Sequence, residues 1–243
     1  MSSITLLGTG TCQIELERRA SSVLLELDGM HILFDCGHGI IQRLLEVGIQ
    51  HNEIAHIVLS HFHPDHVSDL IPLLHAGAWS RRNSRTLNLH IYGPPGVQKL
   101  VDGFMNIFGS SSMQQPAFSI VVSEVTEEQF SIDPYRFDFI SLPPAGNHGL
   151  RFEWRGKRYA ITGDSHFHEA EIAFLKNVDL AIIDSGHIED AEIVQLAASS
   201  QTKVIVCSHL YREIDALQLQ KLAEDAGYEG TIIVGRDLMT FVL

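Results

Sequence analysis

Short apolar, β-rich runs alternate with stretches of helical periodicity along the whole chain. Residues 4–7, 22–27 and 31–34 read as strands, parted by the turn signals Gly8-Thr9-Gly10 and Asp28-Gly29. Residues 40–47 have helical periodicity that stops at Gly48. Residues 55–60 form a buried strand, followed by a polar loop and an apolar helix over about 67–76. A strand over 87–92 is closed by Gly93-Pro94-Pro95-Gly96, ahead of a helix ending near Phe108. The stretch GSSSMQQP, residues 109–116, is the expected mobile loop. Strands follow at 118–125, 135–142, 149–154 and 158–162, then a helix at 167–176 and a strand at 179–184. A helix at 190–199, a strand at 203–208, a helix at 215–226 and strands at 231–234 and 238–242 complete the pattern.

Strands outnumber helices, and neither a linker-like tract nor a repeat of 20–50 residues breaks the chain. A single layered α/β domain over residues 1–243 is expected, with sheets inside and helices outside. Both halves begin β-rich and pass into βα alternation, the pattern of a pseudo-duplicated sandwich.

Composition narrows the function classes. The formal net charge of −13 disfavours broad adhesion to nucleic acid or anionic membrane. No apolar run is long enough to span a bilayer, and the N-terminal Met1-Ser2-Ser3-Ile4-Thr5 has no export-signal pattern. Cys12, Cys36 and Cys207 are odd in number and widely spaced, so they read as reduced thiols suited to the cytoplasm. Histidine is abundant, with 14 residues against 17 Lys plus Arg, and its placement carries the chemistry.

That placement is Ser60-His61-Phe62-His63-Pro64-Asp65-His66, between the apolar strand Ile57-Val58-Leu59 and an apolar helix. A strand end is rigid, and the loop beyond it can turn several side chains toward one point. Three imidazoles and a carboxylate in six residues suit zinc or a similar ion. His61 and His63, at i and i+2, can grip one ion, while Asp65 and His66 can grip a second. Two cations about 3.5–4 Å apart acidify a shared water toward neutral pH and polarise the scissile oxygen. Asp35 and Asp69 are candidate acceptors for the outward ring nitrogens.

The pattern His61-x-His63-x-Asp65-His66 resembles the signature of the metallo-β-lactamase superfamily. Further points of likeness are Leu7-Gly8-Thr9-Gly10, Phe34-Asp35-Cys36-Gly37, Gly163-Asp164 after a strand and Ser208-His209 after another. The resemblance implies a four-layer αββα sandwich with two divalent metal ions, zinc foremost and manganese or iron as alternatives. It also implies one ion on His61, His63 and His148, a second on Asp65, His66 and His209, and Asp164 bridging both. Asn147-His148-Gly149-Leu150 departs from the family in leaving fewer residues before the Gly-aromatic strand.

Within the superfamily the chain is most similar to the branch of ribonuclease Z and the cyclic-phosphate phosphodiesterases. His187, after the strand ending at Asp184, stands where that branch places a histidine that protonates the leaving oxygen; Asp65 and His187 are the candidate catalytic residues. Only fifteen residues separate His148 from Asp164, too few for the arm with which ribonuclease Z grasps tRNA. The expected substrate is therefore a small or cyclic phosphodiester, cleaved by hydroxide generated at the metals, and not full-length tRNA. Two basic clusters are candidates for its phosphate: Arg81-Arg82-Asn83-Ser84-Arg85, and Arg151, Arg155, Lys157 and Arg158. His166 and His168 are near enough to Asp164 to line the pocket. A thioester or lactone hydrolase of the glyoxalase II kind shares the ligand set, and a non-catalytic metal-binding partner protein is the reading from outside the enzymes. Relatives often form homodimers, which is the expected assembly.

Overall fold

A computed structural model describes residues 2–243; Met1, where the segment read for an export signal begins, lies outside them. The chain divides into two compact units, Met1–Thr126 with Arg236–Leu243, and Glu127–Gly235. Each is built on one seven-stranded sheet, so the α/β class read from the sequence is the class observed.

The first unit contains β1 (Ser3–Gly8), β2 (Ser22–Leu27), β3 (Met30–Phe34), β4 (His56–Val58), β5 (Leu89–Gly93) and β6 (Ile120–Glu124). Its helices are α1 (Ile40–Glu46), α2 (Pro64–Val67), α3 (Leu70–Trp79), α4 (Val97–Phe108) and α5 (Ser110–Met113). The second contains β7 (Gln129–Ile132), β8 (Tyr135–Ser141), β9 (His148–Trp154), β10 (Lys157–Ile161), β11 (Leu180–Asp184), β12 (Val204–Ser208) and β13 (Thr231–Val234), with α6 (Glu169–Leu175), α7 (Asp190–Ser200) and α8 (Ala216–Asp225). The chain ends with β14 (Thr240–Val242), which returns to the first sheet beside β1.

The two sheets share a plan. In the first, β14-β1-β2-β3 pair antiparallel and β3-β4-β5-β6 parallel. In the second, β7-β8-β9-β10 pair antiparallel and β10-β11-β12-β13 parallel. Parallel neighbours need crossovers, which the helices supply, and a strand covered on both faces carries no polar alternation. Leu180-Ala181-Ile182-Ile183-Asp184 is such a strand, buried throughout. Ile57, Leu59 and Ile91 of the first unit share a core with Leu73 and Leu74 of α3 and Val97 and Val101 of α4. Ala181, Ile183 and Ile205 do the same with Ile193 and Leu196 of α7 and Leu219 and Ala223 of α8.

Three local expectations change. The helix expected over about 67–76 runs instead over Leu70–Trp79, and a separate short helix, Pro64–Val67, stands in the expected polar loop; Asp69, between the two, accepts through its carboxylate from the backbone N–H of Ile41 at the start of α1. Residues 109–116 hold a helical turn, α5, pinned by buried Met113 and by Ser111 and Ser112 carbonyls that accept from Trp79 Nε1 and His75 Nδ1. The strand β7 has no counterpart in the sequence reading; its alternation, Phe130 and Ile132 against Gln129 and Ser131, is too short to stand out. Among the described residues no helix is long and apolar enough to cross a membrane.

Candidate metal centre

Apart from His148, which opens the antiparallel strand β9, the candidate residues stand at or beyond the carboxyl ends of parallel strands, where open α/β sheets leave crevices. In the first unit Asp35 follows β3, and Ser60 to His66 follow its parallel neighbour β4. Asp35 is fully buried and adopts φ 60°, a left-handed conformation that costs a non-glycine residue energy and persists where the surroundings enforce it. What enforces it is a set of hydrogen bonds. Ser60 donates to Asp35 from its backbone N–H at 2.7 Å and from Oγ at 2.8 Å, and His66 Nδ1 donates at 2.7 Å.

These bonds decide which nitrogens can bind a cation. A carboxylate accepts, so His66 carries its proton on Nδ1 and presents the Nε2 lone pair. Ser60 Oγ has spent its proton on Asp35 and so accepts from His61 Nδ1 at 2.9 Å, which leaves the His61 lone pair on Nε2 as well. The His61 ring lies 4.3 Å from that of His66 and 4.5 Å from that of His63, centroid to centroid. Asp65 is buried beside them, its Oδ2 at 3.9 Å from His66 Nε2, while His63 reaches solvent. Buried imidazoles locked with lone pairs converging suit a divalent ion. Of the two proposed acceptors, Asp35 takes that part and Asp69 does not.

In the second unit β10, β11 and β12 are adjacent, and their ends carry Asp164, Asp184 and His209. One ligand atom from each of Asp164, Asp184, His187 and His209 lies within 4.8 Å of all the others. His209 Nε2 is 3.4 Å from Asp164 Oδ1, and His209 Nδ1 is 3.5 Å from Asp184 Oδ1. His209 has φ 54°, a second strained residue at a strand end. Gly186 fits against its carbonyl; a Cβ on Gly186 would lie 2.2 Å from that oxygen. The Asp164 backbone is fixed by Asn147, whose Oδ1 accepts from the Asp164 N–H at 3.0 Å while its Nδ2 donates to the Thr162 carbonyl.

His187 donates from Nδ1 to Asp184 Oδ2 at 2.6 Å. That bond, against partial burial, raises the imidazole pKa above its ordinary value, helped by the charges of Asp184 and Asp164. The other oxygen of Asp184 accepts from the backbone N–H groups of Gly186 and His187, which makes a rigid turn of the Asp-Ser-Gly-His stretch. The His187 ring stacks on His209 at 5.2 Å and lies 5.4 Å from His166 and 5.5 Å from Tyr211.

Several candidates make other contacts. His148, at the start of β9, stacks on Phe139 at 4.6 Å and contacts the Gly146 carbonyl through Nδ1. His168 caps α6, accepting from the Ala170 N–H. Arg85 is buried rather than offered to a phosphate: it donates to the carbonyls of His51 and Ile54, and burial lowers its pKa to about 10. Arg151 is committed to Asp138 and to the Phe174 carbonyl. The sequence reading passed over Asp184 and Tyr211. The first stands three residues before His187, and the second, two after His209, lies 5.4 Å from that ring.

Glu171 of α6 is fully buried beneath this loop, accepting from Ser165 Oγ at 2.5 Å. Burial, with Asp184 and Glu192 acting the same way, pushes its carboxyl from 4.5 up to about 8. The folded state therefore favours the protonated form. Its stabilising effect is complete below pH 4.5 and is lost as pH rises through about 8. A Glu171→Gln protein stays neutral throughout, so it should melt near the wild type at pH 5 and about 5 °C or more above it at pH 8.5. Thermal melts at both pH values check this; a gap that does not change with pH overturns it.

Comparison with known proteins places this geometry. The Beta-lactamase superfamily domain is matched over residues 30–228. The chain belongs to the β-lactamase superfamily. Among curated members, "Ribonuclease Z" of Mycolicibacterium gilvum is 30% identical over 179 residues, covering 68% of this chain and 62% of that protein. "Ribonuclease Z" of Methanococcus aeolicus is 34% identical over 126 residues, covering 52% and 37%. In these two alignments the chain thus spans less than two thirds of the relatives' own length. Among solved structures, the metallo-β-lactamase fold protein YhfI from Bacillus subtilis superposes with a TM-score of 0.80 at 18% identity, covering 99% of this chain and 98% of its own. The short form of human tRNase Z gives 0.78 at 21% identity over 99% and 98%, and a diphosphatase of the PhnP family 0.74 at 17% over 100% and 98%. At such identities the likeness establishes the fold, and the fold is the metallo-β-lactamase fold.

Proposed function

We propose that the chain is a metal-dependent phosphodiesterase acting on a small or cyclic phosphodiester. One observation carries the reading: in the second unit a histidine tied to a buried carboxylate, His187 on Asp184, stands beside a buried group of imidazole and carboxylate donors. The names of the relatives, ribonuclease Z and a PhnP-family diphosphatase, support phosphate esters as the substrate class. Residues 1–243 are taken as a single metallo-β-lactamase-like domain. His61, His63 and His148 would hold one of two divalent ions and Asp65, His66 and His209 the other, with Asp164 a ligand shared by both; zinc is foremost, with manganese or iron as alternatives. When bound, the ions supply Lewis acidity and a water acidified toward neutral pH.

The chain's own residues do the rest. Asp35 and Ser60 hold His66 and His61 in the tautomers that present Nε2. Asp184 orients the His187 ring and favours its protonated form, whose Nε2–H would be the proton given to the departing oxygen. Tyr211 and His166 flank that ring. A net charge of −13 and the tight turn between β9 and β10 favour a small substrate over full-length tRNA. The three thiols suit a cytoplasmic setting, and a homodimer is the assembly we assign.

The test is reconstitution of metal-free protein with zinc, manganese and iron separately, assayed on bis(p-nitrophenyl) phosphate, a thioester and a lactone. Metal-dependent turnover of the phosphodiester is expected. Turnover of the thioester or lactone in its place would reassign the substrate class, and bound metal without any esterase activity would make the chain a binding protein.

A further inference from the structure

Against the turn that carries Asp164 lies a buried carboxyl that the proposed reaction leaves unused. Glu171 stands in the first turn of α6 with none of its surface exposed, and Ser165, the residue after Asp164, is equally enclosed. Ser165 Oγ donates to Glu171 Oε1 at 2.5 Å. Among the described residues the other oxygen, Oε2, has no hydrogen-bond partner, so the bond to Ser165 is the carboxyl's one polar attachment. Burying a hydroxyl and a carboxyl costs free energy that an apolar pair of similar volume avoids. The apolar pair would fill the same space but fix no direction. A hydrogen bond fixes one.

The part so fixed is the turn after β10. Asp164 N–H donates to Asn147 Oδ1 at 3.0 Å, and His166 N–H donates to the Pro143 carbonyl at 2.8 Å. Both of these tethers come from the connection between β8 and β9. Ser165, between them, is held instead from α6. That helix is a firm support, because its Phe174 and Leu175 share a core with Ala181 and Ile183 of β11 and Ile205 of β12. The Ser165 bond therefore refers the position of Asp164 to the strands whose ends carry Asp184 and His209. With only the two backbone tethers the turn could pivot, and the Asp164 carboxylate, 3.4 Å from His209 Nε2, would swing with it.

We infer that Glu171 is a positioning residue: through Ser165 it holds the Asp164 carboxylate beside His209, and so sets how tightly the centre takes a divalent ion. This rests on Asp164 being a metal ligand, as in the proposed function. Glu171 itself touches neither ion nor substrate; it acts on the geometry of a ligand.

The readout is the zinc affinity of the metal-free protein, measured by competition with a chromophoric chelator. Glu171→Leu should weaken it by about 10–100-fold, the range for removing a group that supports a metal ligand. Glu171→Gln should bring it back to within a few-fold of the wild type, because the amide oxygen accepts from Ser165 as the carboxyl does. Ser165→Ala breaks the same bond by removing one oxygen atom, so it should match the Glu171→Leu loss. The double variant should lose no more than either single one. Ser165→Ala also carries the test where Glu171→Leu does not fold. A role in folding alone would lower the melting temperatures and leave zinc affinity unchanged, and that result overturns the inference. Equal losses in the Gln and Leu variants overturn it as well. Asp164→Asn tells this failure from that of the metal assignment: if it too takes zinc as the wild type does, Asp164 is no ligand and both readings fall.

Discussion

An Asp164→Ala protein is expected to lose bound metal and hydrolytic activity together, with kcat/KM down by about 10⁴-fold. The side chain is buried, and its Oδ1 lies 3.4 Å from His209 Nε2 at the centre of the four-residue group. The other carboxylate of that group, Asp184, is bound to His187 and to two backbone N–H groups, so it cannot swing over to replace the lost charge. The fold should survive, because the bonds that hold this turn run from the Asp164 backbone N–H to Asn147 and from Asn147 to Thr162. Elemental analysis, circular dichroism and assay of the same preparation check the expectation. Asp164→Asn is the companion variant: it keeps the shape and removes the charge. If either protein kept its metal and its activity, Asp164 could not be the bridging ligand.

The second large effect separates chemistry from metal binding. A His187→Ala protein should retain its metal but lose about 10²–10⁴-fold in kcat, the range for removal of a general acid. The loss should depend on the leaving group. A p-nitrophenolate departs with little help, whereas an alkoxide needs the proton, so the defect should be larger for an alkyl ester than for an aryl one. Asp184→Asn should show the same leaving-group pattern in milder form, since Asp184 acts by holding the His187 ring. Equal losses on both esters would make His187 a binding residue, and loss of metal in the variant would make it a ligand.

Much of this site could be read from one dimension. A histidine-rich turn between an apolar strand and an apolar helix announces ligands, because burying that many imidazoles needs a compensating partner. Asp35 was recognisable as an acceptor from the stretch Phe34-Asp35-Cys36-Gly37, but its left-handed backbone and its three hydrogen bonds were not. Asp69 looked equally suited and instead meets the start of α1, a choice made by where two helices pack. Arg85 closes a basic run that reads as a phosphate clamp, yet it lies inside the first unit on backbone carbonyls. Charge on a string of residues says nothing about which of them faces water.

What the sequence alone determined is the alternation of strands and helices, the histidine-rich turn and the residues that open each loop after a parallel strand. These are local properties, written in hydrophobic period, turn chemistry and ligand spacing. Only the tertiary structure decided which side chains share a point in space. The parallel register of β10, β11 and β12 brings Asp164, Asp184 and His209 to neighbouring strand ends, and the turn after β11 adds His187. The proton positions that present Nε2 on His61 and His66 depend on Asp35, which lies more than twenty residues earlier in the chain. Such convergence comes from strand pairing across long loops, and no spacing rule within a single segment encodes it.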